Sequence, residues 1–276
     1  MNIVFILGSG HCGSTLLDLI LDCHSKIIGV GEFENVGKEK LCSCGRDFEE
    51  CELWKNILKH RDLSKLKIFR TKKDFLLNKN NFYYYKKEMR SVDLNSYITE
   101  NENMFDQVLG FFDQKKDFIV DSSKNVDRFE LLFKSNYIRP IILHVVRDGR
   151  AVTWSYFKKY KKAMPYMWKW FAQNFKIYYL KKRNKADYVF VRYENLAKNP
   201  KKEIERILNS LGLVYEENML NFRNFTHHQA GGNRMRLSGT NEIKEDVSWK
   251  KNLPMKYRLL FNILFGWLNF YYARKR

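Results

Sequence analysis

Directly after the apolar run MNIVFIL the chain reads GSGHCGST, residues 8–15, and then LLDLIL. A β-type run that breaks into glycines and then into a helical apolar pattern is strand, tight loop, helix. The spacing Gly8-x4-Gly13-Ser14-Thr15 is that of a phosphate-cradling loop, with one exception. Ser14 stands where an ATP or GTP enzyme carries the lysine that reaches the β- and γ-phosphates. Glycines let the backbone approach an oxyanion, and the amides from Gly10 and His11 through Cys12, Gly13, Ser14 and Thr15 are the candidate cradle. The helix that follows adds favourable potential for an anion, and Ser14 and Thr15 add hydroxyl donors. A glycine turn that only packs strand on helix is the plainer alternative. A kinase or GTPase loop fits less well, because the lysine is missing. Nor does a strand end in an obvious magnesium aspartate, except DFIVD, which Ser-Ser-Lys follows at once.

The same succession recurs. DFIVD (117–121) leads into NVDRFELLF, IILHVV (141–146) into GRAVTWSYFKKY, and DYVFVRY (187–193) into LAKNPKKEIERILNSLGL. Strands alternating with helices predict an α/β fold, a P-loop-like three-layer sandwich with a central parallel sheet flanked by helices. Ligands of such sheets sit outside the carboxyl ends of the strands. Those ends are Gly8-Ser9, Asp121-Ser122, Arg147-Asp148 and Arg192-Tyr193, and polar residues gather at all four. No Pro/Gly/Ser-rich linker divides the 276 residues, so residues 1–276 read as one domain. The Lys/Asn/Tyr-rich, aperiodic stretch 61–104 reads as helical excursions or a lid.

Composition narrows the ligand. The 50 Lys+Arg against 31 Asp+Glu give a formal charge of +19, a field that favours an anionic cofactor, an acidic acceptor, nucleic acid or an anionic membrane surface. A solvated lysine-rich surface is the bland reading of the same charge. No uncharged apolar run reaches membrane-spanning length, and the amino terminus is a strand rather than a secretory signal. The cysteines, Cys12, Cys23, Cys42, Cys44 and Cys51, are odd in number and crowd into the first fifth of the chain. That is no disulfide framework, and a reducing, cytoplasmic compartment is expected.

A second constellation is HVVRDGRAVTWSYF, residues 144–157. Arg147 ends a strand and Ser155 lies eight residues on, about two helical turns plus the loop, so guanidinium and hydroxyl can converge on one anion. Asp148 is placed to cap the helix, and an Arg-Asp structural ion pair is the alternative.

Together the two stretches resemble the sulfotransferase family that uses 3′-phosphoadenosine 5′-phosphosulfate (PAPS). Gly8–Leu17 is similar to that family's 5′-phosphosulfate loop, and Arg147 with Ser155 to its 3′-phosphate grip. VRYENL (191–196) followed by NPKKEIERILNSLGL, and GGNRMR…SWKKNL (231–253), resemble two further elements of bacterial-type members, in the family's order. The resemblance covers nearly the whole chain and is weakest over 61–104. It implies a transferase moving a sulfuryl group from PAPS to a hydroxyl or amine, with adenosine 3′,5′-bisphosphate as product and no metal. The loop would hold the 5′-phosphosulfate and Tyr193 would stand near the adenine. Arg234 and Arg236 would close over the phosphates. LDCHSKIIGVGEFENV is similar to the stretch in tyrosylprotein and bacterial members whose Gly-Glu carries the base, which falls on Glu32, with Glu34 as the alternative. Lys124 of VDSSKN matches a lysine that stabilises the transferring sulfuryl; as a plain helix start, the same stretch offers Asp121 or Ser122 as cap. Many members place Lys or Arg two residues before the glycine matching Gly13, and here His11 stands instead. Either a protonated His11 or a neutral one donating a hydrogen bond could serve the leaving group.

The acceptor is unsigned in the sequence: a small molecule such as a phenol, a saccharide, a lipid and a peptide all fit, 61–104 is its candidate wall, and no specific nucleic acid is expected. A P-loop kinase, or a catalytically dead basic protein that binds polyanions or membranes, are the rival readings. LCSCGRDFEECELW holds three thiols, but C-x-C-x6-C lacks the usual C-x2-C pair and an obvious fourth zinc ligand, His60 being the nearest candidate. A structural loop with buried thiols is therefore expected. The final segment YRLLFNILFGWLNFYYARKR reads as a core-packing helix with a basic tail, or as a peripheral contact with an anionic membrane.

Overall fold

A computed structural model describes residues 1–38, 40–59, 94–237 and 240–275. Five strands, β1 (Asn2–Gly8), β2 (Ile27–Gly31), β3 (Phe118–Asp121), β4 (Arg139–Val146) and β5 (Asp187–Arg192), pair in the order β2-β3-β1-β4-β5. All four pairings are parallel. The central strand β1 is apolar at every inner position because helices cover both faces. Ile3, Phe5 and Leu7 pack into one core with Trp54, Phe105 and Phe129. Val4 and Ile6 pack into the other, with Leu17, Ile20 and Ile207. The result is the helix–sheet–helix sandwich with a P-loop-like entry.

The helices are α1 (Ser14–Asp22), α2 (Trp54–Leu58), α3 (Leu94–Gly110), α4 (Val126–Leu132), α5 (Gly149–Tyr160), α6 (Met164–Arg183), α7 (Tyr193–Lys198), α8 (Pro200–Ser210), α9 (Trp249–Asn252) and α10 (Met255–Arg274). The single helix expected after β5 is two, because Asn199 leaves helical dihedrals (φ −136°, ψ 67°) and Pro200 restarts the chain. Asp148 caps α5 through the Arg150 amide, as its position suggests. Before α4 the cap is Asn125 rather than Asp121 or Ser122: its side chain accepts from the amides of Asp127 and Arg128.

Strand β2 is not among the strands read from the sequence. Two of its five residues are glycine, which dilutes the strand pattern. Gly29 is required by space, since a Cβ there would lie 2.3 Å from Asp18 Oδ1. The lid reading of 61–104 divides: 61–93 lie outside the described residues, whereas 94–104 belong to α3. There Tyr97 and Asn101 are buried and hold the Arg128 guanidinium, whose Nε donates to Asp121 at 2.7 Å.

Helix α10 buries Phe261, Phe265, Leu268 and Tyr272 in the third cluster with Trp170 and Val152, and leaves Leu259, Ile263, Trp267 and Phe270 exposed. Among the described residues no helix is long and apolar enough to cross a membrane.

Candidate active site

The carboxyl ends of β1, β2, β3 and β4 bring the sequence-selected residues to one edge of the sheet. Gly13 takes φ 100°, a left-handed conformation, and a Cβ on it would lie 2.4 Å from the Tyr193 ring. At Gly10 a Cβ would meet the Tyr156 hydroxyl at 2.0 Å. Gly13 is therefore fixed by close approach as well as by the turn, and Gly10 by close approach. Gly13 caps α1 with no side-chain hydrogen bond, so the first amides of the helix face outward as anion donors. Ser9 Oγ is buried without a hydrogen-bond partner at the same place. Ser14 is buried, and Thr15 Oγ1 accepts from the Asn233 amide at 3.2 Å, which draws the 231–236 segment onto the loop. The fully buried Cys12 thiol is pushed up by burial and stays protonated.

His11, at φ 62°, turns its ring edge-on to Tyr156, with centroids 4.4 Å apart. Its pKa is lowered from 6.5, first by burial and then by the charges of Arg147, Lys159, Lys124 and Lys169. The imidazole is accordingly neutral at pH 7.

Arg147 is buried at the end of β4 and bends toward the loop, donating to the His11 carbonyl at 3.2 Å. Its guanidinium lies 4.5 Å from the Tyr193 ring centroid. Its other terminal nitrogen sits 3.4 Å from an Asp246 carboxylate oxygen, and its Nε is buried without a partner. One donor of this guanidinium is thus unused, and such a charged fork suits an oxyanion. Trp170 Nε1 donates to the Arg147 carbonyl at 3.0 Å and fixes the strand end. Ser155 is half-buried on α5, two turns on. Tyr193 is a wall of this site: Gly13 meets its ring, Arg147 covers a face, and its hydroxyl donates to the Lys244 carbonyl at 3.3 Å. A cavity of about 630 Å3 opens beside these groups, lined by Arg147, Arg150, Tyr193, Trp249, Lys250 and Arg258.

Glu32 leaves β2 where the Gly31 backbone turns at φ 73°. One carboxylate oxygen accepts from Lys124 Nζ at 2.5 Å and the other from Asn35 at 2.7 Å. Lys124, at φ 59°, also donates to the Ser122 carbonyl, and the Lys124 carbonyl accepts from Gln173 Nε2. Glu34 is engaged elsewhere, accepting from Asn125 Nδ2 at 2.5 Å. Behind them lies a buried polar set: Asp18 accepts from Ser122 at 2.5 Å and from Gln229 at 2.9 Å. Burial raises the Asp18 carboxyl well above its ordinary value. Sequence reasoning does not find Asp18 or Gln229.

The segment after residue 226 completes the edge. Ala230 donates to Val30 and accepts from the Glu32 amide at 2.5 Å, in a parallel bridge with Gly31. Arg234 is exposed, while Arg236 is buried and donates to the Leu41 carbonyl at 3.0 Å. Cys42, Cys44, Cys51 and His228 gather beside it, their ligand atoms all within 4.8 Å of one another. The Cys51 sulfur is drawn toward the thiolate, first by its contact with Cys42 and then by His228. His60 lies outside the described residues, and His228 is the fourth group that the sequence did not suggest.

A family model described as "Sulfotransferase family" matches residues 3–217. No curated protein matches the chain by sequence. Among solved structures, the sulfotransferase domain of the olefin synthase of Synechococcus PCC 7002 superposes with a TM-score of 0.58 at 18% identity, covering 95% of this chain and 94% of that one. The sulfotransferase domain from the curacin biosynthetic pathway gives 0.57 at 16% identity, covering 95% and 97%. At such identities these structures show the shared fold. With the family model spanning most of its length, the chain belongs to the sulfotransferase family.

Proposed function

We propose that the protein transfers the sulfuryl group of PAPS to a hydroxyl or amine of an acceptor. The observation that carries this reading is the convergence of Arg147 on the 8–15 loop, through its 3.2 Å hydrogen bond to the His11 carbonyl. Two anion-binding devices of different make then face one ligand: backbone amides at a helix start, and a guanidinium with an unpaired Nε. A nucleotide with phosphates on both its 3′ and 5′ positions needs that pair, and it needs no lysine at position 14.

When bound, PAPS supplies a sulfuryl group activated on its 5′-phosphate. The amides of Cys12 to Thr15 hold that phosphate, and Arg147 with Ser155 holds the 3′-phosphate; Arg236 and the exposed Arg234 stand near enough in sequence to the Thr15 contact to add charge. Tyr193 backs Arg147, and the 630 Å3 cavity beside it has the size of a small-molecule site. Glu32 takes the proton of the acceptor hydroxyl as that oxygen bonds to sulfur. The bond from sulfur to the 5′-phosphate oxygen breaks, and that oxygen keeps the electron pair in adenosine 3′,5′-bisphosphate. Lys124 faces the charge spread over the sulfuryl oxygens, and a neutral His11 donates a hydrogen bond to the leaving oxygen. As in phosphoryl transfer, positioning and electrostatic stabilisation carry most of the rate.

Calorimetry with adenosine 3′,5′-bisphosphate against ATP tests the donor. Binding of the bisphosphate without magnesium, tighter than ATP, is expected. Magnesium-dependent binding of ATP with none of the bisphosphate would overturn the reading in favour of a phosphotransferase. Labelled PAPS offered with saccharide, lipid and small-molecule extracts identifies the acceptor.

A further inference from the structure

We propose that Cys42, Cys44, Cys51 and His228 form a structural zinc site, which staples the 41–51 loop to the segment carrying the Glu32 edge. The four ligand atoms lie within 4.8 Å of one another, Cys51 Sγ being 3.2 Å from His228 Nδ1 and 3.5 Å from Cys42 Sγ. A tetrahedral zinc with three sulfurs at about 2.3 Å needs ligand separations of about 3.8 Å, so small side-chain adjustments close all four on one ion.

The backbone around the cluster folds into a tight loop. Leu41 and Asp47 form an antiparallel bridge, Cys42 donates to the Arg46 carbonyl, and Gly45 donates to Cys42 at 3.0 Å. Gly45 takes φ 86° with nothing within 4 Å of where a Cβ would be, so glycine is needed there for the turn and not for space. That turn brings Cys42 and Cys44 to the same side despite their C-x-C spacing. Cys51 arrives from the turn before α2, where its carbonyl accepts from the Lys55 amide. His228 is held by its own carbonyl, which accepts from Trp54 Nε1 at 2.7 Å, and its neighbour Gln229 accepts from the Ser43 amide.

Three thiols and an imidazole are a soft donor set that selects zinc over magnesium or calcium. Four protein ligands leave no open position, the mark of a structural rather than a catalytic zinc. Thiols bond weakly to one another, so without metal the cluster contributes little to holding the loop. Between residues 36 and 59 the described regular structure is the isolated Leu41–Asp47 bridge and the five residues of α2. The metal would fix the 41–51 loop onto 228–230, whose Ala230 carbonyl accepts from the Glu32 amide.

The test is metal analysis of the full-length chain purified without chelators, together with cobalt substitution. About one zinc per chain is expected, with a sulfur-to-cobalt charge-transfer band and tetrahedral d–d absorption in the cobalt form. Cys44→Ser and His228→Ala should lose the metal, His228→Cys should regain it, and Cys23→Ser, a buried thiol outside the cluster, should keep it. Because the wild-type metal content is itself decisive, variants that fail to fold do not blunt the test. Protein that stays metal-free after reconstitution with zinc, or mass spectrometry showing a Cys42–Cys51 disulfide instead, overturns the proposal. Neither result depends on whether the chain binds adenosine 3′,5′-bisphosphate.

Discussion

Glu32 and Arg147 are held in opposite ways, and their substitutions should separate. The Glu32 carboxylate is engaged on both oxygens, by Lys124 and Asn35, at the exit of a strand. Glu32→Gln keeps the shape and removes the proton acceptor, so turnover should fall about 10²–10⁴-fold while the affinity for adenosine 3′,5′-bisphosphate changes little. Steady-state kinetics beside calorimetry reads both; wild-type turnover in the variant would remove Glu32 from the base role. Arg147 acts through a charged hydrogen-bonding fork, and Arg147→Lys retains charge without it. Bisphosphate affinity should drop about 10–100-fold in the lysine variant, with a small loss of thermal stability because the His11 carbonyl loses its donor. At this scale the loop glycines and Arg147 were legible because their chemistry is local. Glu32 and Lys124 were legible only through family resemblance. His228 was not legible at all: it sits 177 residues from Cys51, and no spacing rule reaches that far.

At the level of elements, the 8–13 turn and strand β4 make distinct predictions. Gly13 is confined by φ 100° and by the Tyr193 ring, so Gly13→Ala must distort the turn, move the ring, or both. Bisphosphate binding should fall below detection in calorimetry, while circular dichroism still reports a folded sheet. Strand β4 carries His144 inward, its ring nitrogens 2.8 Å from the Tyr188 hydroxyl and 3.0 Å from the Asn174 side chain. Burial pushes its pKa down to about 3. Between that value and the unfolded value of 6.5, the unfolded chain binds a proton that the folded one refuses. Acidification through this window therefore favours unfolding, by up to about 1.4 kcal/mol per pH unit. Urea midpoints from pH 8 to pH 4 should fall more steeply in the wild type than in His144→Gln. Strand β2 escaped the sequence because Gly29 and Gly31 serve close approach and a turn, and both weaken the apolar pattern that signals a strand.

For the molecule as a whole, the formal charge of +19 favours the multiply charged anion proposed for the site. Affinity for adenosine 3′,5′-bisphosphate should fall with added sodium chloride, and more steeply for the wild type than for Arg147→Ala, as titrations over a salt series would show. The alternation of strands and helices was readable because each unit is local, whereas strand order is set by contacts that no local pattern encodes. One of the longest such spans is also the most consequential. Gln229 reaches Asp18 across 211 residues, and the adjoining Ala230 extends β2 beside Gly31. A ribosome delivers residues one after another, and domains fold as their parts emerge. Strands β1 to β5 are all in hand by Arg192, yet the edge that bears Glu32 still lacks its outer partner. During synthesis, then, a sheet can stand before this edge is complete, and the arrival of Gln229 and Ala230 decides when it closes.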